Sequence, residues 1–147
     1  MNNVQEWVTG EVDAKKYLIE QGYRILEENF KTSIGEIDLI ALDPKGRQIN
    51  ALKRRLDAGE IDERVYARFS RLVEDTIVFV EVKTRSTDKF GDALFAIDAS
   101  KRRKICQVAN IYLKMKRKIH SPARFDCIGI TNSKITHIEN AFENIYG

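Results

Sequence analysis

"TIVFVEVKTR", Thr76–Arg85, has the β-branched and aromatic composition of a buried strand. Yet Glu81 and Lys83 are set into it, two residues apart. Alternation along a strand puts Val78, Val80 and Val82 on one face and Phe79, Glu81 and Lys83 on the other. A salt bridge at a strand end would account for the pair, but desolvation cancels most of the attraction when such a pair is buried. A strand that served only a fold has valine to use here. The pair therefore reads as chemistry carried near the end of a strand, where a sheet usually keeps its site.

Two further carboxylates stand in equally awkward places. "GEIDLIAL", Gly35–Leu42, alternates as a second strand and sets Asp38 between Ile37 and Leu39. An exposed position on an edge strand, or a capping role, is the rival explanation for Asp38; Glu36 shares its face but sits nearer the strand start and reads as solvated. Upstream, residues Glu6–Gln21 read as a helix with Trp7, Val8, Val12, Ala14, Leu18 and Ile19 along an apolar stripe, stopped by Gly22. At about 100° per residue, Glu11 falls about 40° from Trp7 and about 20° from Leu18, inside that stripe. A carboxylate on a buried face wants a partner, and Lys15 at i+4 is one candidate.

The rest of the chain supplies the frame. Tyr23–Asn29 is a candidate first strand. Residues Asp43–Asp75 are charge-rich and helical in pattern, with Ile49, Leu52 and Leu56 on one arm and Ile61, Val65, Phe69 and Leu72 on the other, broken at Gly59. This predicts a helical hairpin, each arm of a length that is marginal in water unless it leans on the core, a second subunit or a ligand. Phe90–Ala99 reads as a loop or mixed segment. A long helix is expected over Ser100–Ile119, with Ile105, Val108, Tyr112, Met115 and Ile119 on one face and Pro122 as its terminator. Arg124–Ile130 and Lys134–Glu139 complete the strands. Helix, strands, helix, strands is an α/β pattern with a mixed central sheet flanked by helices.

With 147 residues, 43% hydrophobic and 32% charged, the chain has the makings of one globular domain. No apolar run reaches the ~18 residues of a membrane span, so no membrane is expected. No signal-peptide layout opens the chain, so a cytoplasmic location is expected. Cys106 and Cys127, with only His120 and His137 beside them and no ligand spacing, argue against structural zinc and read as small buried apolar groups.

Three misplaced carboxylates and a lysine fit one kind of site. Hard oxygen donors from neighbouring strands hold Mg²⁺, a cation that acidifies water and offsets charge building on a phosphate. Without it, clustered carboxylates repel one another and raise each other's pKa. Asp38, then Glu81-Val82-Lys83, with Glu11 in a preceding helix, resembles the PD-(D/E)XK nuclease core, its proline-aspartate element reduced here to the aspartate of "EID". More closely, "GEVDAKKYLIEQGYRILEENF", "GEIDLIAL", "VFVEVKTR" and "RFDCIGI" resemble the YraN-like family of bacterial proteins, similar in arrangement to archaeal Holliday-junction resolvases. The resemblance spans nearly the whole chain.

What it implies is a single restriction-endonuclease-like domain over residues 1–147, with the helical insertion at about 43–75. It implies Asp38 and Glu81 as ligands of Mg²⁺ or Mn²⁺, a contribution from the Val82 backbone carbonyl, Glu11 in support, and Lys83 as the catalytic lysine. In the family a short turn usually joins the two motif strands; the insertion here stands at the active-site sheet, where gating the substrate, pairing subunits into a homodimer and blocking the site all remain open.

Lys101-Arg102-Arg103-Lys104 opens the long helix, against the preference of helix N-termini for anions, and phosphates alongside would offset that cost. Lys114–Lys118 reads instead as a solvated face. The basic "LKRRL", Leu52–Leu56, is followed at once by acids, so self-pairing and DNA contact weigh equally. The layout supports salt-sensitive, weakly sequence-specific phosphate binding. The expected function is a metal-dependent DNA endonuclease, on branched or flapped DNA by analogy. Its rivals are a non-catalytic DNA-binding or assembly module on the same fold, and a metal-free buried network.

Overall fold

The computed structural model describes residues 3–85, 97–132 and 134–144. The expected loop at Phe90–Ala99 falls largely outside them. In chain order the elements are α1 (Asn3–Glu20), β1 (Arg24–Lys31), β2 (Glu36–Asp43), α2 (Lys45–Asp57), α3 (Glu63–Leu72), β3 (Thr76–Arg85), α4 (Ala99–Met115), β4 (Ala123–Thr131) and β5 (Lys134–Phe142). The strands form one mixed sheet in the order β1-β2-β3-β4-β5. Only the β3–β4 pair is parallel, and it is the pair connected through α4. This is the helix-flanked α/β arrangement of a restriction-endonuclease-like core.

Alternation in β3 divides the interior as expected. Val78, Val80 and Val82 pack with Leu39, Ala41, Ile128 and Ile130 beneath α1. Ile77 and Phe79 pack on the opposite face with Ile37, Ile40 and the α4 residues Ile105, Val108 and Tyr112. The helix faces need correction. Among the described side chains of α1, Ala14 and Leu18 are buried, while Val12 and Ile19 are half exposed; the side chains of Trp7 and Val8 lie outside the described residues. The reason is close approach: a Cβ at Gly10 would collide with the Thr84 hydroxyl, so only a small residue lets the helix settle there. The α4 helix stops at Met115, before the expected Ile119, because Arg117 turns left-handed at φ 56° and the Lys118 amide returns to the Leu113 carbonyl. Met115 and Ile119 are consequently exposed.

The inserted hairpin forms, with Gly59 at φ 75° making the turn and Asp62 capping α3 through the Val65 amide. Neither arm has a fully buried residue. It leaves β2 at Asp43 and re-enters at Thr76, which face each other across β2 and β3. That is five residues along each strand from Asp38 and Glu81, or about 16 Å at ~3.3 Å per residue. The insertion therefore emerges from the end of the strands away from the acids, not beside them.

A polar network anchors it there. Asp43, with no exposed surface, takes Arg47 of α2 and, at 2.7 Å, Arg124 of β4. Arg124 also grips Asp126 at 2.9 and 3.0 Å and donates to the Tyr23 hydroxyl at 2.7 Å. His137 bridges Asp126 at 2.7 Å and the Tyr17 hydroxyl at 3.0 Å. Gln48 closes the hairpin base by donating to the carbonyls of Asp43 and Glu74.

Removing one partner of such a buried pair strands the others. Asp43→Ala is expected to cost about 3–5 kcal/mol of stability, read as a lowered urea midpoint, and to speed amide exchange over residues 45–72 ahead of the sheet. A cost under about 1 kcal/mol would show that the network holds nothing.

Candidate metal and phosphate site

Asp38 sits at a fork. The β2–β3 pairing runs from Asp43↔Thr76 to Leu39↔Val80, while β2 stays paired to β1 as far as Glu36. Just past that last pair, the Asp38 carboxylate accepts the Val82 amide at 2.7 Å. A side chain has taken the place of a strand carbonyl. Since β2 is the second strand of five and Asp38 is only 6% exposed, the edge-strand explanation of this acid falls.

Glu11 reaches Asp38 from α1, close enough to share a side-chain hydrogen bond. Lys15 does not serve as its partner: it pairs with Glu28 at 3.1 Å. The partner is Asn29, which lies opposite Asp38 between two paired positions of β1 and, with its amide nitrogen turned to Glu11, donates to both carboxylate oxygens at 3.2 Å. Asn29 went unnoticed in the sequence. An asparagine inside a strand is uncommon, and this one adopts φ 50°, so composition alone carried a signal.

Glu81 projects from the next β3 position towards the α4 side. It forms an ion pair with Lys101, at 3.1 Å, from the first turn of α4. The Lys101 amide is held by the capping Asp98 carboxylate at 2.8 Å, and its side-chain nitrogen is in hydrogen-bonding reach of that of the half-buried Lys83. The four-residue basic run thus divides. Lys101 enters the site, Arg102 lies over the Phe142 ring at 5.7 Å, and Arg103 and Lys104 are exposed. Cys127, opposite Glu81 in β4, is buried and free, its thiol pushed up to about 12 by burial first and by the Glu81 charge second. It is inert, as a small apolar group should be.

The electrostatics follow from this crowding. Burial, then the negative charges of Glu81 and Glu11, push Asp38 up to about 8 against the pull of the Val82 amide. Glu11 is raised too, chiefly by burial, although Asn29 and Asp38 hydrogen bonds oppose it. Among the described residues no three His, Cys, Asp or Glu side chains are gathered as a ready-made ligand group. The acids approach through shared bonds while Lys101 engages Glu81. A separate groove of about 810 Å³, lined by Leu113, Ile119, Phe125 and Phe142 among others, contains none of these acids.

The five-stranded mixed sheet flanked by helices defines the fold class: a restriction-endonuclease-like core. Comparison with known sequences gives the family. The uncharacterised protein family UPF0102 matches residues 10–130. A UPF0102 protein of Thermodesulfovibrio yellowstonii is 38% identical over 133 residues, covering 90% of this chain and 91% of its own length. One from Clostridioides difficile is 35% identical over 144 residues, covering 97% and 100%, and one from Persephonella marina 38% over 138, covering 93% and 92%. The chain belongs to UPF0102, a family of uncharacterised bacterial proteins. No helix among the described residues is long and apolar enough to cross a membrane.

The raised Asp38 gives a stability signature. Folded Asp38 keeps its proton to about pH 8, whereas an unfolded aspartate loses it near 3.8. Between those values the folded state binds more protons, so its stability falls as pH rises. In chelator-treated protein the urea midpoint is expected to decline from pH 5 to pH 8, and Asp38→Asn, which cannot ionise, is expected to flatten that decline. Identical pH profiles for both proteins would refute the assignment.

Proposed function

We propose that this UPF0102 protein is a divalent-metal-dependent phosphodiesterase acting on DNA, with Mg²⁺ or Mn²⁺ as cofactor. One observation carries the reading: Asp38, fixed by the Val82 amide at the β2–β3 fork, meets Glu11 and lies in the field of Glu81. Acids crowded so closely that one is held protonated to about pH 8 are short of positive charge. Their hard oxygens suit Mg²⁺ or Mn²⁺. Asp38 and Glu81 would hold the ion with the Val82 carbonyl, and Glu11 would support it. When bound, the cation supplies Lewis acidity and offsets charge on phosphate oxygens.

The protein's own groups have separable tasks. The Val82 amide fixes the Asp38 carboxylate, and Asn29 fixes Glu11. The Lys83 ammonium orients the attacking water and meets charge developing on the phosphate. Arg103 and Lys104, exposed on the α4 turn that carries Lys101, suit the DNA backbone. Contacts of that kind are salt-sensitive and read little sequence.

The test is incubation with branched, flapped and single-stranded DNA in Mg²⁺ or Mn²⁺. Wild type is expected to cleave at least one substrate, with Glu81→Ala and Lys83→Ala each slower by about 10²-fold or more. Binding without cleavage by all three proteins would replace the enzyme with a DNA-binding or assembly module. Calorimetric Mn²⁺ heat that survives Asp38→Asn would remove the site assigned to the ion.

A further inference from the structure

Lys101 has no ordinary reason to be where it is. A cation in the first turn of a helix opposes the helix dipole. What offsets that cost here is Glu81, whose side chain is 12% exposed against 42% for Lys101. The pair joins a well-buried carboxylate to a half-exposed ammonium, and a bridge with so exposed a partner contributes little to stability. It is made by one of the acids the proposed ion needs, and its ammonium stands beside a second amine, Lys83. No three acids are gathered for an ion among the described residues while that pair is made.

We propose that Lys101 is an exchangeable counter-cation, holding Glu81 in the metal-free protein and releasing it when a divalent ion binds at Asp38 and Glu81. The inference rests on the metal-dependent reading of the site but is separable from it. Before exchange, Lys101 supplies one positive charge to the acid cluster and turns Glu81 towards α4. After exchange the ion supplies two charges, Glu81 is free to turn towards Asp38, and the released ammonium stays next to Lys83. Lys101 is then a positioning residue for Glu81. The basic run that opens α4 would owe its first member to the site and only its later members to the surface.

Mn²⁺ titrated into the intact protein without DNA tests this, using wild type, Lys101→Met, Lys101→Gln and Asp38→Asn. Both Lys101 variants are expected to bind Mn²⁺ about three- to tenfold more tightly than wild type, since the ion no longer displaces a competing charge. In wild type, diamagnetic Mg²⁺ should shift the Lys101 side-chain NMR resonances as the ammonium leaves Glu81. Asp38-dependent binding in wild type with equal or weaker binding in both Lys101 variants would overturn the exchange and leave the metal reading intact. Binding that appears only in the Lys101 variants would support the exchange in its strongest form. No Asp38-dependent binding in wild type or in either Lys101 variant would remove the exchange together with the metal reading.

Discussion

The hydrogen bond from the Val82 amide to the Asp38 carboxylate is the constraint on which the candidate site depends. In a continuous antiparallel ladder that amide would be taken by a backbone carbonyl of β2. Here the carbonyl is replaced by a side chain, and the strands stop pairing at Leu39↔Val80. The exchange satisfies a buried donor that would otherwise cost about 1–3 kcal/mol. It also fixes a carboxylate where its ionised form is poorly solvated. Fold and unfavourable charge are thus produced by the same bond, and neither is removed without disturbing the other.

The sheet treats buried acids in opposite ways at its two ends. At the hairpin end, Asp126 is buried, yet His137 and Arg124 outweigh that burial and hold its carboxyl below the usual range. Asp43 is enclosed by Arg47 and Arg124, each only 15% exposed. That is a closed account of charge, suited to anchoring α2 against the strands. At the other end Asp38 is buried among acids, and Glu81 is paired with a half-exposed lysine. The difference is not one of burial, since all three aspartates are almost wholly covered. It lies in the counter-charge, which buried arginines supply at one end and a half-exposed lysine at the other. Acids with perturbed pKa values cluster at functional sites.

Much of this was legible in the sequence, and the limits have physical causes. Thr76–Arg85 was readable to the residue because β-branched composition and alternation agree over ten positions. Asp38, Glu81 and Lys83 stood out because each violates the apolar pattern around it. Glu11 stood out as well, but the stripe that flagged it was partly wrong: the helix seats on Gly10, Ala14 and Leu18, and Gly10 is invisible to a hydrophobicity argument. Lys101 was visible as a cation opposed to a helix dipole, but its partner lies across the fold in β3. Asn29 meets Glu11 only because β1 and α1 converge. Pairings between elements depend on register and approach distance, which no local pattern encodes.

The insertion shows the same limit on a larger scale. Sequence put it between the two motif strands, at the active-site sheet, without saying at which end. Antiparallel geometry supplies that: a connection between β2 and β3 joins the end of one to the start of the other, at Asp43 and Thr76. The acids lie past Leu39 and Val80, towards the opposite end. Any influence of the hairpin on Asp38 must therefore travel along β2 and β3 themselves. Those strands are tied to the hairpin through Asp43 and Arg47, whose ion pair closes within one turn of α2. The helices bring polar anchors to the sheet and leave Phe69 and Leu72 of α3 exposed, 47% and 66%. The insertion is therefore coupled to the core chiefly through Asp43 and Arg47, which lets its outer surface vary without altering the fork that holds Asp38.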